Sequence, residues 1–380
     1  MKIVFTVNTY YPLKDGVQFV TEYHAERLAK RGHTVTVVTP KYHGQKEVED
    51  HNGVHIIRVN IRTKHAIFIG DKRAYKDLIL KLTHNADALV NVCTQTATTE
   101  VLYSILKHVN CKKILYMHGM FDFEWHTYDF KSAVSFGHKL WNTVRWKYDY
   151  IVNRKYMKAY DDIIQLHQYD TANVFFKKKY HIKSYIIENA ADDRFFLENN
   201  TSDNKAPYLL CVSNYDTRKN QEFILRAFYK SHISGTDLIL IGSSDNNYKK
   251  FLEKLKSQLD LQYGEHNVYI KTGVSRERTI QYIKNAKIFL MGSKWEAFPI
   301  SIVESISSGV PYISTNVGIV RYLPGGIIVD SVEQMSYWIQ LFCNDEKLRV
   351  SVGKVGKVYA ENRLTIEEKV NLLEKIITSD

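Results

Sequence analysis

Two carboxylates eight positions apart, Glu296 and Glu304, stand in the run SKWEAFPISIVESISSGVP, residues 293–311. The run follows an apolar, strand-like stretch at 288–291, turns through a loop and opens a helical pattern at Pro299, a residue well tolerated in a first helical turn. The free N–H groups and the dipole of such a helix start suit an anion such as a diphosphate, with Phe298 and Ile300 flanking the turn. Glu304 lies between Val303 and Ile306, where an apolar residue would be cheaper to bury, and its carboxylate can accept hydrogen bonds from two neighbouring ribose hydroxyls. Glu296, in the loop, can meet hydroxyls of a sugar. Two acids taken alone could equally be exposed residues flanking a helix.

A second loop, residues 212–220, also joins a strand-like run to a helical one and carries Ser213, Asn214, Arg218 and Lys219. Cations at a helix start oppose its dipole, so a bound anion is a better reason for them than solvation. A cation fixed there would stabilise negative charge on a bound anion. Near the amino terminus, Gly16 and Val17 follow the first strand-like run, and glycine there lets backbone approach a ligand closely, although an ordinary turn explains one glycine as well. His118 ends another strand-like run, the position at which α/β sheets bind ligands.

Glu296 and Glu304 in the spacing E-x7-E, the Phe298-Pro299 after the first acid and the Gly309-Val310-Pro311 strand entry together resemble the donor-site signature of retaining glycosyltransferase family 4, the group 1 glycosyl transferases of GT-B fold. The resemblance extends over nearly the whole chain. It implies a metal-independent, retaining hexosyltransferase with no cofactor, using a nucleotide-diphosphate sugar. It assigns His118, Lys219 and Glu296 to catalysis, and Gly16, Val17, Ser213, Asn214, Arg218, Lys219, Glu296, Phe298, Pro299, Ile300 and Glu304 to donor binding. Lys219 matches the family lysine that holds the diphosphate. Asn214 stands where the family has arginine, and Asp15 where it usually has a first glycine.

Such residues need strands to carry them. Strand-like runs at 3–7, 34–39, 54–59, 88–92, 113–116, 163–166 and 185–187 alternate with helical patterns, and the rhythm resumes at 208–212, 238–241, 268–271, 288–291 and 312–314. Alternation of this kind predicts α/β architecture with two doubly wound Rossmann-like domains facing each other across a cleft, closed by C-terminal helices. The 380 residues suit two cores of roughly 100–200 residues each. The expected parts are an acceptor-binding domain over 1–196, a polar linker over 197–207, a nucleotide-sugar domain over 208–357, and a helix over 358–380 crossing back to the first domain.

The net charge of +11 is concentrated early: residues 1–200 hold 29 Lys and Arg against 21 Asp and Glu. Charge alone does not choose among nucleic acid, anionic lipid and phosphorylated substrates. No nucleic-acid recognition motif is interleaved with the cations, and none of the runs approaches the roughly 20 apolar residues that span a bilayer. The first strand-like run begins at the third residue, so a cytoplasmic protein is expected. Four cysteines far apart read as reduced, buried thiols.

Residues 139–158 hold six cations against one acid, with Leu140, Trp141, Val144, Tyr148, Ile151 and Val152 at helical spacing. Such a segment is either a domain helix whose apolar stripe is core, or a peripheral contact with the anionic inner face of a membrane or a lipid-linked acceptor. Against the transferase of polysaccharide or glycoconjugate synthesis stand two other classes: a sugar-nucleotide epimerase, and a non-catalytic glycosyltransferase-like partner subunit.

Overall fold

Burial on both faces decides which runs become strands: all five residues of Ala88–Val92 and all four of Ile288–Met291 are buried, the pattern of a parallel sheet covered by helices on either side. The computed structural model describes residues 1–13, 15–130, 132–197 and 207–379. The chain forms two units, Met1–Glu188 with Lys369–Asp380, and Asn189–Glu368.

Unit 1 contains β1 (Lys2–Thr6), β2 (Thr34–Pro40), β3 (Val48–His51), β4 (Val54–Val59), β5 (Ile61–Lys64), β6 (Ile67–Gly70), β7 (Ala88–Val92), β8 (Lys112–Tyr116), β9 (Asp162–Gln165) and β10 (Tyr185–Ile186). Eight of them form a sheet in the order β10-β9-β8-β7-β1-β2-β4-β3, parallel except where β3 meets β4, while β5 and β6 make a separate hairpin. Unit 2 contains β11 (Tyr208–Val212), β12 (Asp237–Ile241), β13 (Val268–Lys271), β14 (Ile288–Met291), β15 (Tyr312–Thr315) and β16 (Gly326–Val329). They form one parallel sheet in the order β13-β12-β11-β14-β15-β16. Each sheet changes winding direction once, between β1 and β7 in unit 1 and between β11 and β14 in unit 2. Loops leaving the carboxyl ends of those strand pairs are where an open α/β sheet binds ligands.

Four strands escaped the sequence reading for identifiable reasons. β3 (Val48-Glu49-Asp50-His51) and the β5–β6 hairpin lie at sheet edges or outside the main sheet and lack a buried apolar run. β16 begins with Gly326, which reads as a turn; a Cβ there would lie 2.4 Å from the ring of Tyr312 on the neighbouring strand, so close pairing requires glycine.

Three further expectations differ. The C-terminal helix expected over 358–380 is divided between two helices, Glu346–Arg363 and Ile366–Thr378, interrupted where Ala191 N–H donates to Leu364 O at 3.0 Å and Ala191 bridges Thr365. The change of unit falls between Glu188 and Asn189, ahead of the expected linker, of which residues 198–206 lie outside the described residues; the return to unit 1 begins at Lys369. Finally, the stripe of helix Ala133–Val152 is not core. Leu140, Trp141, Val144, Tyr148, Ile151 and Val152 are all exposed, and the helix packs inward through Thr143, Trp146, Asp149 and Tyr150 instead.

That inward side places Asp149 against Glu100 in the interior of unit 1. Burial lifts the Glu100 carboxyl to about 9, with Asp149 repulsion and a hydrogen bond to Asp149 adding to the rise. The folded state therefore keeps a proton that the unfolded chain releases near the ordinary 4.5, and stability falls as pH rises between those values. Glu100→Gln, whose amide can still donate to Asp149 and accept from Gln95 N–H, is expected to remove this slope of at most about 1.4 kcal/mol per pH unit. Thermal melts of both proteins at pH 5 and pH 9 test it: the variant should lose less on going to pH 9, and parallel losses would refute the assignment.

Candidate donor site

Two loops flank the winding change of unit 2. The first, after β11, starts with Ser213, whose N–H continues the sheet by donating to Ile241 O at 3.0 Å. Gln221, the first residue of helix Gln221–Lys230, fixes its shape: the Gln221 amide donates to Ser213 Oγ at 2.8 Å and to Asn214 O at 3.0 Å. Asn220 takes a left-handed conformation (φ 53°), tolerable for Asn, and donates from its side chain to Gly292 O at 3.1 Å, tying this loop to the second one.

The tie brings charges together. Lys219 Nζ lies 2.5 Å from Glu296 Oε1, which also accepts from Ser293 Oγ at 2.8 Å. Arg218 is exposed, with its guanidinium 5.7 Å from the centre of the Trp295 ring. Asn214, at the position of the family arginine, is exposed as well. Behind the second loop, Gly318 (φ 51°) is where a Cβ would meet Ala297 O at 2.3 Å and Glu296 O at 2.4 Å, so glycine lets the β15 turn support the Glu296 backbone. Ile319 N–H then donates to Ala297 O at 3.2 Å.

Pro299 stands one position earlier than expected: it is the N-cap of helix Ile300–Ser307, in extended conformation (ψ 116°), and its carbonyl accepts from Ile302 N–H at 3.2 Å. Phe298 is buried, and its carbonyl accepts from Asn189 Nδ2 at 3.0 Å. Within the helix, Glu304 is only 4% exposed, and Arg276 Nη2 donates to its Oε1 at 2.5 Å. Burial raises the Glu304 carboxyl above its ordinary range while the adjacent Arg276 charge opposes the rise. Sequence reading missed Arg276, which starts helix Arg276–Lys284 and lies over Phe195 at 5.3 Å; its distance in sequence from Glu304 leaves no local signal. Gly318, following β15, was the supporting residue most open to detection, since a turn glycine after a strand end invites inspection.

In unit 1 the equivalent winding change lies beside Gly16, Val17 and the β7 loop. Gly16 is the first residue of helix Gly16–Lys30, and Asp15 caps it, its Oδ1 accepting from Gln18 N–H at 2.8 Å. Asp15 therefore occupies part of the helix terminus with its own carboxylate, where the family usually has glycine. His118, two residues past β8, stacks on Tyr116 with centroids 4.8 Å apart. Its buried Nε2 has no hydrogen-bond partner among the described residues, and burial pushes its pKa down to about 3, so it is a neutral imidazole at physiological pH. Two acid–histidine groups, Glu22/Glu26/His51 and Asp122/Glu124/His126, also lie in unit 1; neither contains a residue of the candidate site. The four cysteines are free, and burial raises their thiol pKa values.

Comparison with known proteins gives the family. The profile of glycosyltransferase family 4 matches residues 14–192, and that of the glycosyl transferases group 1 matches residues 192–358. The chain belongs to this glycosyltransferase family.

Among individual proteins, a probable sucrose-phosphate synthase of Thermosipho melanesiensis is 26% identical over 202 residues, 51% of this chain and 48% of that protein. The chain matches about half the length or less of its curated relatives. A sucrose-phosphate synthase of Thermosynechococcus elongatus superposes with a TM-score of 0.76 at 16% identity, over 99% of this chain and 98% of the other. HepE of Anabaena, solved in complex with UDP, superposes with a TM-score of 0.73 at 14% identity, over the full length of both chains. These likenesses show a GT-B fold.

Proposed function

We propose that the chain is a retaining glycosyltransferase of the cytoplasm, moving a hexose from a nucleotide-diphosphate donor to a hydroxyl of a glycan or lipid-linked acceptor in polysaccharide or glycoconjugate synthesis. The observation that carries this reading is the meeting of Lys219, Ser293 and Glu296 across the two switch-point loops of unit 2, beside the start of the helix that holds Glu304. Lys219, Ser213 and the N–H groups at Ile300 would face the donor diphosphate, with Arg218 supplying a further cation. Glu304 would accept from the ribose hydroxyls, oriented by Arg276, and Glu296 would meet the sugar.

Charge on the departing diphosphate is then met by protein cations and backbone dipoles, and no metal is required of the donor. Retention follows if the departing phosphate takes the acceptor's proton on the face it leaves, so no enzyme base is assigned. Neutral His118, a hydrogen-bonding group and not a cation, suits contact with a sugar hydroxyl in unit 1.

Calorimetry against UDP-, GDP-, dTDP- and ADP-sugars tests the donor site. UDP-sugars come first because HepE binds UDP. Glu304→Ala removes an acceptor of charge-assisted hydrogen bonds, each worth about 1.5–3 kcal/mol, and is expected to weaken donor binding by at least about tenfold. Equal affinity in wild type and variant would remove Glu304 from the site.

The non-catalytic reading retains one structural argument, the Asp15 cap on the first helix. A donor that binds with neither transfer nor hydrolysis would establish that reading instead.

A further inference from the structure

We infer that helix Ala133–Val152 and its flanks form a docking surface for an anionic lipid bilayer, holding unit 1 at the membrane–water interface. At about 100° per residue, the exposed Phe136, Leu140, Trp141, Val144, Tyr148 and Ile151 fall within an arc of roughly 140°, an apolar face interrupted only by Lys147 along a helix about 30 Å long. Val144 and Ile151 are 58% and 75% exposed, which leaves water against aliphatic side chains that a core helix would bury. The face continues past the helix start, where the rings of Trp125, Phe130 and Phe136 lie 5.5–5.9 Å from one another. Trp141 combines an exposed ring with an indole N–H directed to His65 O at 3.4 Å, the amphipathic character that seats tryptophan at a bilayer interface.

Charge selects the occupant. Lys147, Arg154, Lys155 and Lys158 are exposed at the carboxyl end of the helix, and Tyr180, donating to Tyr150 O at 2.6 Å, brings the exposed Lys177–Lys179 turn to the same end. The one acid between residues 133 and 158, Asp149, is buried and paired with Arg145 at 2.9 Å, so it does not offset these cations at the surface. A second copy docked about a twofold axis through this end would set the cations against their own counterparts. An anionic headgroup layer satisfies the cations while its acyl boundary takes the apolar arc. No helix among the described residues is long and apolar enough to cross a membrane, so the contact is peripheral.

The full chain should co-sediment with vesicles of phosphatidylglycerol and phosphatidylcholine at low salt, bind pure phosphatidylcholine vesicles more weakly, and release as salt is raised. Val144→Ser with Ile151→Ser, and separately Lys147→Glu with Lys155→Glu, should each raise the lipid concentration for half-binding by about tenfold or more. All four residues are exposed, so unchanged circular dichroism and unchanged donor affinity check that each variant is folded. Failure of the wild type to bind anionic vesicles at low salt would overturn the inference. Binding indifferent to both variants would do the same, as would a dimer in sedimentation velocity that the Val144/Ile151 variant abolishes, since the occupant would then be a second copy.

Discussion

Replacing Lys219 with alanine is expected to lower kcat by about 10²–10³-fold, the loss typical of removing one preorganised electrostatic contact to developing charge. Lys219 is held in place by Glu296 at 2.5 Å, and Glu296 is itself held by Ser293, so its ammonium reaches the site without a search through rotamers. Negative charge on the diphosphate grows as the glycosidic bond breaks, and a cation fixed beside it therefore contributes more to the transition state than to the bound donor. Donor affinity should fall much less than kcat, the reverse of Glu304→Ala, whose proposed contacts lie on the ribose, remote from the breaking bond. Single-turnover transfer from a radiolabelled donor separates the two. A Lys219→Ala enzyme whose chemical step stays within about twofold of wild type would place the diphosphate elsewhere.

The split between what could and could not be read from the chain follows the range of the interactions. β11 and β14 are short apolar runs bounded by polar loops, and the pairs Lys219/Glu296 and Glu296/Glu304 sit on or beside those strand ends, so local pattern located them. Arg276 on Glu304 and Asn189 on Phe298 are contacts between elements 28 and 109 positions apart, and a single sequence gives no signal at such separations; Gly318 beneath Glu296 could be noticed as a turn glycine, but not the loop it supports. Helix Ala133–Val152, for which two readings stood open, shows a different limit. Its apolar spacing was seen correctly, but periodicity reports that one side of a helix is apolar and not what covers that side. The inward side earns its place through Trp146, Tyr150 and the Asp149–Glu100 contact, polar and aromatic groups that an apolar-face count passes over.

The division of the chain at Glu188 and Lys369 has a physical basis in the pair those residues form. Lys369 is 1% exposed, and its Nζ lies 3.6 Å from Glu188 Oε2, with His167 Nε2 4.0 Å from the other oxygen. Glu188 is the last residue of unit 1 before the chain leaves it, and Lys369 is the first after it returns. Beyond that point Val370 and Leu373 are fully buried, and Glu374 pairs with Arg31 and with His33 at 2.6 Å, so the final helix is an integral part of unit 1. Lys369→Met would keep the apolar stem and strand a buried carboxylate, a loss expected to cost about 3–5 kcal/mol. The double variant Lys369→Met with Glu188→Gln removes both charges and should recover most of that loss, because a buried ion pair is worth far less than the penalty for breaking it from one side. Urea unfolding of the three proteins measures the difference. His24, whose imidazole is held neutral by burial first, with the neighbouring His118 and the Lys369 charge acting in the same direction, supplies an independent readout: its pKa should rise in both variants. A single variant as stable as wild type would mean that the last helix is held by its apolar face and by Glu374 alone, with the buried pair contributing nothing to its return.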